Sequence, residues 1–133
     1  MPSDYTYAEK SWGKSFYKIY STMVNYTAAA AQCESDGSFL AIPRSEAESD
    51  FIADLIPNEH IWIGINDIEH EGRYMDVHGS HISYTNWANG QPDNYQHNPL
   101  DEDGIMIRRE DKKWNDWNVS YNLKFVCSKS VCN

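Results

Sequence analysis

From residue 15 to residue 23 the chain reads Ser-Phe-Tyr-Lys-Ile-Tyr-Ser-Thr-Met, with aromatic and aliphatic residues alternating with polar ones. A period of two is that of a half-buried strand. Thr27 then precedes the alanines 28–31 and Cys33, a run that predicts a helix ended by Asp36-Gly37. Ser45-Glu46-Ala47-Glu48 is a capping box opening a second helix, with Phe51, Ile52 and Leu55 on its inner face and Pro57-Asn58 at its end. Ile61-Trp62-Ile63-Gly64-Ile65 is a short apolar run suited to a central strand, and Leu123-Lys124-Phe125-Val126-Cys127 is a final strand. From Asn66 to about Lys113 the pattern turns polar and turn-rich, with Gly72, Gly79, Gly90, Pro92 and Pro99. Two early helices, then strands and a long loop region, predict an α+β domain.

Composition narrows the class. The 133 residues suit one domain, spanning 1–133, with no linker, repeat or low-complexity tract. Twenty acids against eleven Lys plus Arg give a net charge of -9, which argues against nucleic acid, whose binding needs clustered cations. With 41% hydrophobic residues the chain can bury a core, yet no apolar run is long enough to span a bilayer. Met1-Pro2-Ser3-Asp4-Tyr5 lacks a charged, then apolar, leader, so any secretory signal is expected to have been removed. The sequons Asn25-Tyr26-Thr27 and Asn118-Val119-Ser120 lean toward a secreted protein, although Thr27 and Ser120 equally suit turns or caps. Three cysteines, Cys33, Cys127 and Cys132, form no Cys-x-x-Cys pair, and His78-Gly79-Ser80-His81 stands alone, so zinc is poorly supported. Three reduced thiols remain an open reading.

The long polar region carries the candidate chemistry. Tyr84, Trp87, Tyr95, Trp114 and Trp117 make it too apolar for a solvated tail. Between Gln91 and Asp103 stand Asp93, Asp101, Glu102 and Asp103, with no Lys or Arg among them. Carboxylates held together repel unless a cation sits between them, and Gln91, Asn94 and Asn115 add amide oxygens. Such a mixed oxygen set, free of thiolate and imidazole, matches the preference of Ca2+. A solvated acidic surface loop is the competing reading.

At these residues the chain resembles the C-type lectin family, from Phe16-Tyr17 to Cys127. Trp62-Ile63-Gly64 resembles the family's core strand motif, and Asn86-Trp87 followed by Gln91-Pro92-Asp93 its long-loop sugar motif. Trp114-Asn115-Asp116 resembles the second sugar-site motif, and Phe125-Val126-Cys127 the closing strand. The resemblance implies the C-type lectin-like fold, two helices with small antiparallel sheets and a long Ca2+-binding loop region. It implies a principal Ca2+ site built from Gln91, Asp93, Glu102, Asn115 and Asp116, with a cis peptide at Pro92 turning both flanking side chains toward one ion. An auxiliary Ca2+ would take Asp67, Glu71, Asn94, Glu102 and Asp103, where Asn94 stands in a place often held by an acid.

Two sugar hydroxyls can complete the shell of such an ion, each also donating to a carboxylate and accepting from an amide. The order amide then acid, as in Gln91 and Asp93, is associated in the family with galactose-type ligands, and the reverse order with mannose-type ligands. Tyr95, two positions after the motif, stands where galactose-binding relatives carry an aromatic residue that stacks on the sugar, although their Gly-rich segment is replaced by Gln96-His97-Asn98-Pro99-Leu100. The resemblance pairs Cys33 with Cys127. The positions of the family's second disulfide fall on Gly104 and Val119, so both partners are missing together. Cys132 is left over and is expected to link two chains or remain a free thiol. The expectation is a secreted, Ca2+-dependent, galactose-type sugar-binding module that is not an enzyme. It would recognise glycans on cell or microbial surfaces, agglutinate them, and form a homodimer through Cys132. A lectin-like domain that binds protein or ice, and a glycoside hydrolase using paired carboxylates, are the alternatives.

Overall fold

A computed structural model describes residues 6–10, 13–69, 73–90 and 104–130. The chain order is β1 (Thr6–Lys10), β2 (Gly13–Val24), α1 (Tyr26–Ser35), β3 (Phe39–Leu40), α2 (Glu46–Leu55), β4 (Ile61–Asn66), β5 (Met75–Asp76), β6 (Gly104–Ile107), β7 (Trp114–Trp117) and β8 (Leu123–Ser130). The strands join in one sheet of order β1-β2-β8-β4-β6-β7, with β3 on β8 and β5 on β4. Pairing is antiparallel throughout that path except between β4 and β8, where Ile61 and Trp62 run parallel to Lys124 and Phe125. The α+β expectation holds.

Both helices begin where local chemistry closes their first turn. The α1 cap is Asn25, whose Oδ1 accepts from Ala28 N at 2.9 Å, so this helix starts one residue before the expected Thr27. Ser45 caps α2 by accepting from Glu48 N at 3.1 Å, as the capping box predicts. The inner face of α2 is rotated from expectation: Glu48, Ser49, Ile52 and Ala53 are buried, while Phe51 and Leu55 pack only partly against the core. Glu48 tolerates burial because its carboxylate accepts from Tyr17 OH at 3.2 Å and from Arg44 N at 3.0 Å.

The long loop region needs correction. The expected turn-rich stretch from Asn66 to Lys113 contains β5, and it contains β6, all four of whose residues are buried. Ile105-Met106-Ile107 is too short a run to announce a strand by periodicity, and only its neighbours β4 and β7 complete it.

Side chains alternate across β4, β6 and β7 to make two cores. Ile61, Ile63, Ile65, Ile105, Ile107 and Trp114 meet Ile52 of α2 on one side. Trp62, Met106, Phe125 and Tyr26 meet α1 on the other. There the Cys33–Cys127 disulfide, with Cα atoms 5.4 Å apart, ties α1 to β8 across 94 residues. Gly64 is required on β4: a Cβ there would lie 2.3 Å from Leu40 O, while Gly64 N donates to Ala41 O at 2.7 Å. This close approach explains the glycine of Trp62-Ile63-Gly64.

Candidate metal and sugar site

The two motif segments that stand furthest apart in the polar region meet at β7. Trp114 N donates to Asn86 O and Ala88 N donates to Trp114 O, each at 2.8 Å, so residues 86–88 run along the outer edge of β7. The Trp87 and Trp114 rings meet edge to face, with centroids 5.7 Å apart. Tyr84 adds a perpendicular contact to Trp114 at 5.5 Å, and Tyr74 packs on Trp87 at 5.1 Å. Trp114 is fully buried, and its Nε1 donates to Ser49 Oγ of α2 at 3.1 Å. The strand that carries Asn115 and Asp116 is therefore fixed from the α2 side, and the base of the long loop is anchored beside it.

Asn115 and Asp116 are both buried, at 8% and 0% exposure. In the ladder Asn115 stands opposite Met106 and Asp116 opposite Ile105, so alternation sends them to the two sides of β7. Because β7 ends the sheet, groups from both of its sides stand at one edge. Asn115 Oδ1 is buried and has no hydrogen-bond partner among the described residues. A buried amide oxygen left in that state costs stability, and it is a ready ligand for a hard cation.

Asp67 follows directly on β4 and is buried at 2% exposure. Asn66 pairs with Gly104, and Gly104 pairs with Trp117. Asp67 thus leaves β4 at the same end of the three strands at which β7 carries Asp116. Gln91, Pro92, Asp93, Asn94, Tyr95, Glu102 and Asp103, together with Glu71 and Cys132, lie outside the described residues. Of the expected ligands the described structure contains Asn115, Asp116 and Asp67.

The positions left by the missing second disulfide do face each other. A Cβ on Gly104 would lie 3.2 Å from Val119 Cγ1, and also 2.9 Å from Tyr26 Cδ1 and 3.0 Å from Trp62 Cζ3. The aromatic rings fill the space around Gly104.

One contributor is invisible in the sequence pattern. Asn115 lines an open groove of about 360 Å³ with Trp117, Met106, His60, Arg108 and Glu110. Its charged and ring groups are held in place. Arg108 donates to both carboxylate oxygens of Asp111, at 3.0 and 2.9 Å. His60 Nδ1 accepts from Arg109 N at 3.2 Å, and burial, the largest influence on it, lowers the affinity of this imidazole for a proton. The signal for Trp117 was its place directly after Asp116. His60 is drawn in only by the β4–β6 pairing.

Comparison with known proteins gives one family. The family described as Lectin C-type domain matches residues 22–129. A chicken (Gallus gallus) protein named mannose-binding protein is 40% identical over 97 residues, which cover 71% of this chain and 36% of that one. The chain thus spans little more than a third of that relative's length. The mouse scavenger receptor C-type lectin carbohydrate-recognition domain shares 28% identity and superposes with a TM-score of 0.84, covering 98% of each chain. A Ca2+-dependent type II antifreeze protein, solved in a Ca2+-free form, shares the fold at a TM-score of 0.83 and 22% identity, covering 98% of this chain and all of the other.

Proposed function

The chain belongs to the C-type lectin domain family, and from that premise we propose that it is a Ca2+-dependent receptor for galactose-type glycans. The observation that carries this reading is the convergence at β7. The base of the Gln91-Pro92-Asp93 loop is bonded to Trp114, and the adjacent Asn115 presents a buried oxygen without a described partner. The donor set is all oxygen, as Ca2+ requires.

Gln91, Asp93, Glu102, Asn115 and Asp116 would hold the principal ion, and Asp67, Glu71, Asn94, Glu102 and Asp103 the auxiliary one. Bound there, Ca2+ supplies open coordination positions for a pair of sugar hydroxyls. The chain's own groups do the selecting. The carboxylates accept the hydroxyl protons, and the amides of Gln91 and Asn115 donate to the hydroxyl oxygens. The order amide then acid favours the galactose arrangement, and the ring of Tyr95 offers a face for the apolar side of that sugar.

This is a binding module rather than an enzyme, because the acids are spent on metal ligation. We read it as one domain over 1–133, secreted, and paired through Cys132, since a single shallow site gains from multivalent display on cell or microbial surfaces. Among the described residues no helix is long and apolar enough to cross a membrane.

A glycan array probed with Ca2+ and again with EDTA tests the reading. Galactose-terminated glycans should be retained only with Ca2+. Gln91→Glu with Asp93→Asn should move retention toward mannose while leaving ion binding in place. Release of a monosaccharide from galactosides would instead reveal a glycoside hydrolase, and Ca2+-independent binding to protein or ice would reveal a lectin-like fold with another task. Non-reducing electrophoresis of wild type and Cys132→Ser reads the pairing, and a monomeric wild type would reject it.

A further inference from the structure

A second concavity lies away from β7, where β3 packs on the end of β8. It has a volume of about 330 Å³. Two strands, β4 and β6, separate β8 from β7 in the sheet, so it is not part of the site described above. Leu40 and Ile42, both buried, line it, beside the half-exposed ring of Phe39. Its polar lining is Arg44, His78, Ser128 and Lys129, and no Asp or Glu lines it among the described residues. In a chain with twenty acids and a net charge of -9, a groove whose charged lining among the described residues is Arg44 and Lys129 is a marked reversal.

Arg44, Lys129 and the His78 ring are exposed. Neither Arg44 nor Lys129 forms a close ion pair among the described residues, although the Arg44 charge acts on the buried Glu48 carboxylate. Three acids nearby in the fold accept hydrogen bonds from the chain. Glu48 is buried and accepts from Tyr17 OH and Arg44 N. Asp36 accepts from Tyr20 OH and pairs with Lys18 at 3.4 Å. Asp76 Oδ1 is taken by His78 N and Ser80 N, at 2.9 and 3.1 Å. The His78 ring stands edge-on to Phe39 with centroids 4.2 Å apart, so the imidazole is held at the groove wall.

We propose that this groove is a second, Ca2+-independent ligand site that takes an anionic sugar unit, one carrying a sulfate or carboxylate group. The net charge of -9 repels an extended polyanion, which leaves a compact ligand with one localised charge. Arg44 and Lys129 meet that charge, Arg44 with a fork suited to an oxyanion. The exposed face of Phe39 meets the C–H face of the ring. The volume lies at the small end of ligand sites, suited to a rigid unit rather than a peptide segment.

The test is run in EDTA, so that the β7 site is silent and the two proposals fail separately. Galactose 6-sulfate and glucuronate are titrated against the whole chain by NMR, with galactose as the neutral control. The expected result is that both anions shift the resonances of Phe39, His78 and Ser128, that added salt weakens them, and that galactose does not bind. Arg44→Glu with Lys129→Glu should weaken the anions by about tenfold, as two partly exposed charge-assisted contacts would. The same variant should keep the Ca2+-dependent binding and melting temperature of wild type. Phe39→Ala should weaken the anions with the charges intact. Absence of binding in EDTA, or binding indifferent to the charge reversal, overturns the proposal. So does retention of an acidic peptide by a protein that ignores both sugars.

Discussion

The disulfide-closed middle of the sheet and its β7 edge use buried polar groups in opposite ways. In the middle, every buried ring donor described above finds a protein partner. Trp62 Nε1 donates to Val24 O at 3.2 Å. The Tyr26 hydroxyl lies 3.0 Å from Ile63 O and 3.2 Å from Ile65 O, accepts from Asn66 Nδ2 at 3.2 Å, and is pushed to a higher pKa by burial. A covalent bridge then locks α1 to β8. At the edge, Trp114 is satisfied by Ser49, but Asn115 Oδ1 and the Tyr84 hydroxyl are buried without described partners. The middle is complete as protein. The edge holds buried polar atoms whose partners are not among the described residues, and the proposed ion would complete them.

The sharpest way to break this contrast is to remove the bridge. Cys33→Ala with Cys127→Ala should cost about 2–5 kcal/mol in chemical denaturation. The rise in melting temperature on adding Ca2+ should persist in the variant. If that rise vanishes with the bridge, the two regions are not independent.

Ion removal probes the other side. Moving wild type from saturating Ca2+ to EDTA should lower its stability by about 2.7 kcal/mol if the ion was at a hundred times its dissociation constant. Calorimetry in both media reads this directly, and an unchanged transition would dismiss the ion site.

Asn115→Ala should erase the Ca2+ response. In EDTA, however, the same change should cost less than about 1 kcal/mol, because it removes an oxygen whose burial is itself unfavourable. Trp62→Phe, which strips a donor from a satisfied pair, should cost about 1 kcal/mol in both media. Equal losses for the two variants in EDTA would erase the distinction between middle and edge.

The smallest effect is a pH slope from α2, the helix that supports β7. Burial outweighs the donors around Glu48 and raises its pKa above the ordinary 4.5. The folded state therefore holds this proton more tightly than the unfolded chain does. The corresponding stability is present below the ordinary value and is lost as pH rises through the raised one. Denaturation in EDTA between about pH 4 and 7 should show that decline, and Glu48→Gln should flatten it. A slope identical in the variant would assign it to another group.

Much of this was legible in the chain. The alternation of residues 15–23, the capping box at Ser45 and the apolar run at Ile61 announced β2, α2 and β4, because local periodicity and capping are properties of short segments. The acidic, amide-bearing stretch motivates the proposed ion site for a like reason: residue types alone state which ligands are on offer. Tertiary structure decided the rest. β6 is too short to declare itself and exists because β4 and β7 bond to both of its edges. The rotation of α2 followed from the partners that Tyr17 and Trp114 supply to Glu48 and Ser49. Only the fold could join Asn86–Ala88 to Trp114, or gather Arg44, His78 and Lys129 around Phe39 from three separate stretches of chain. Sequence fixes which groups a chain can offer, whereas distance in space, which sets burial and charge pairing, belongs to the packed molecule.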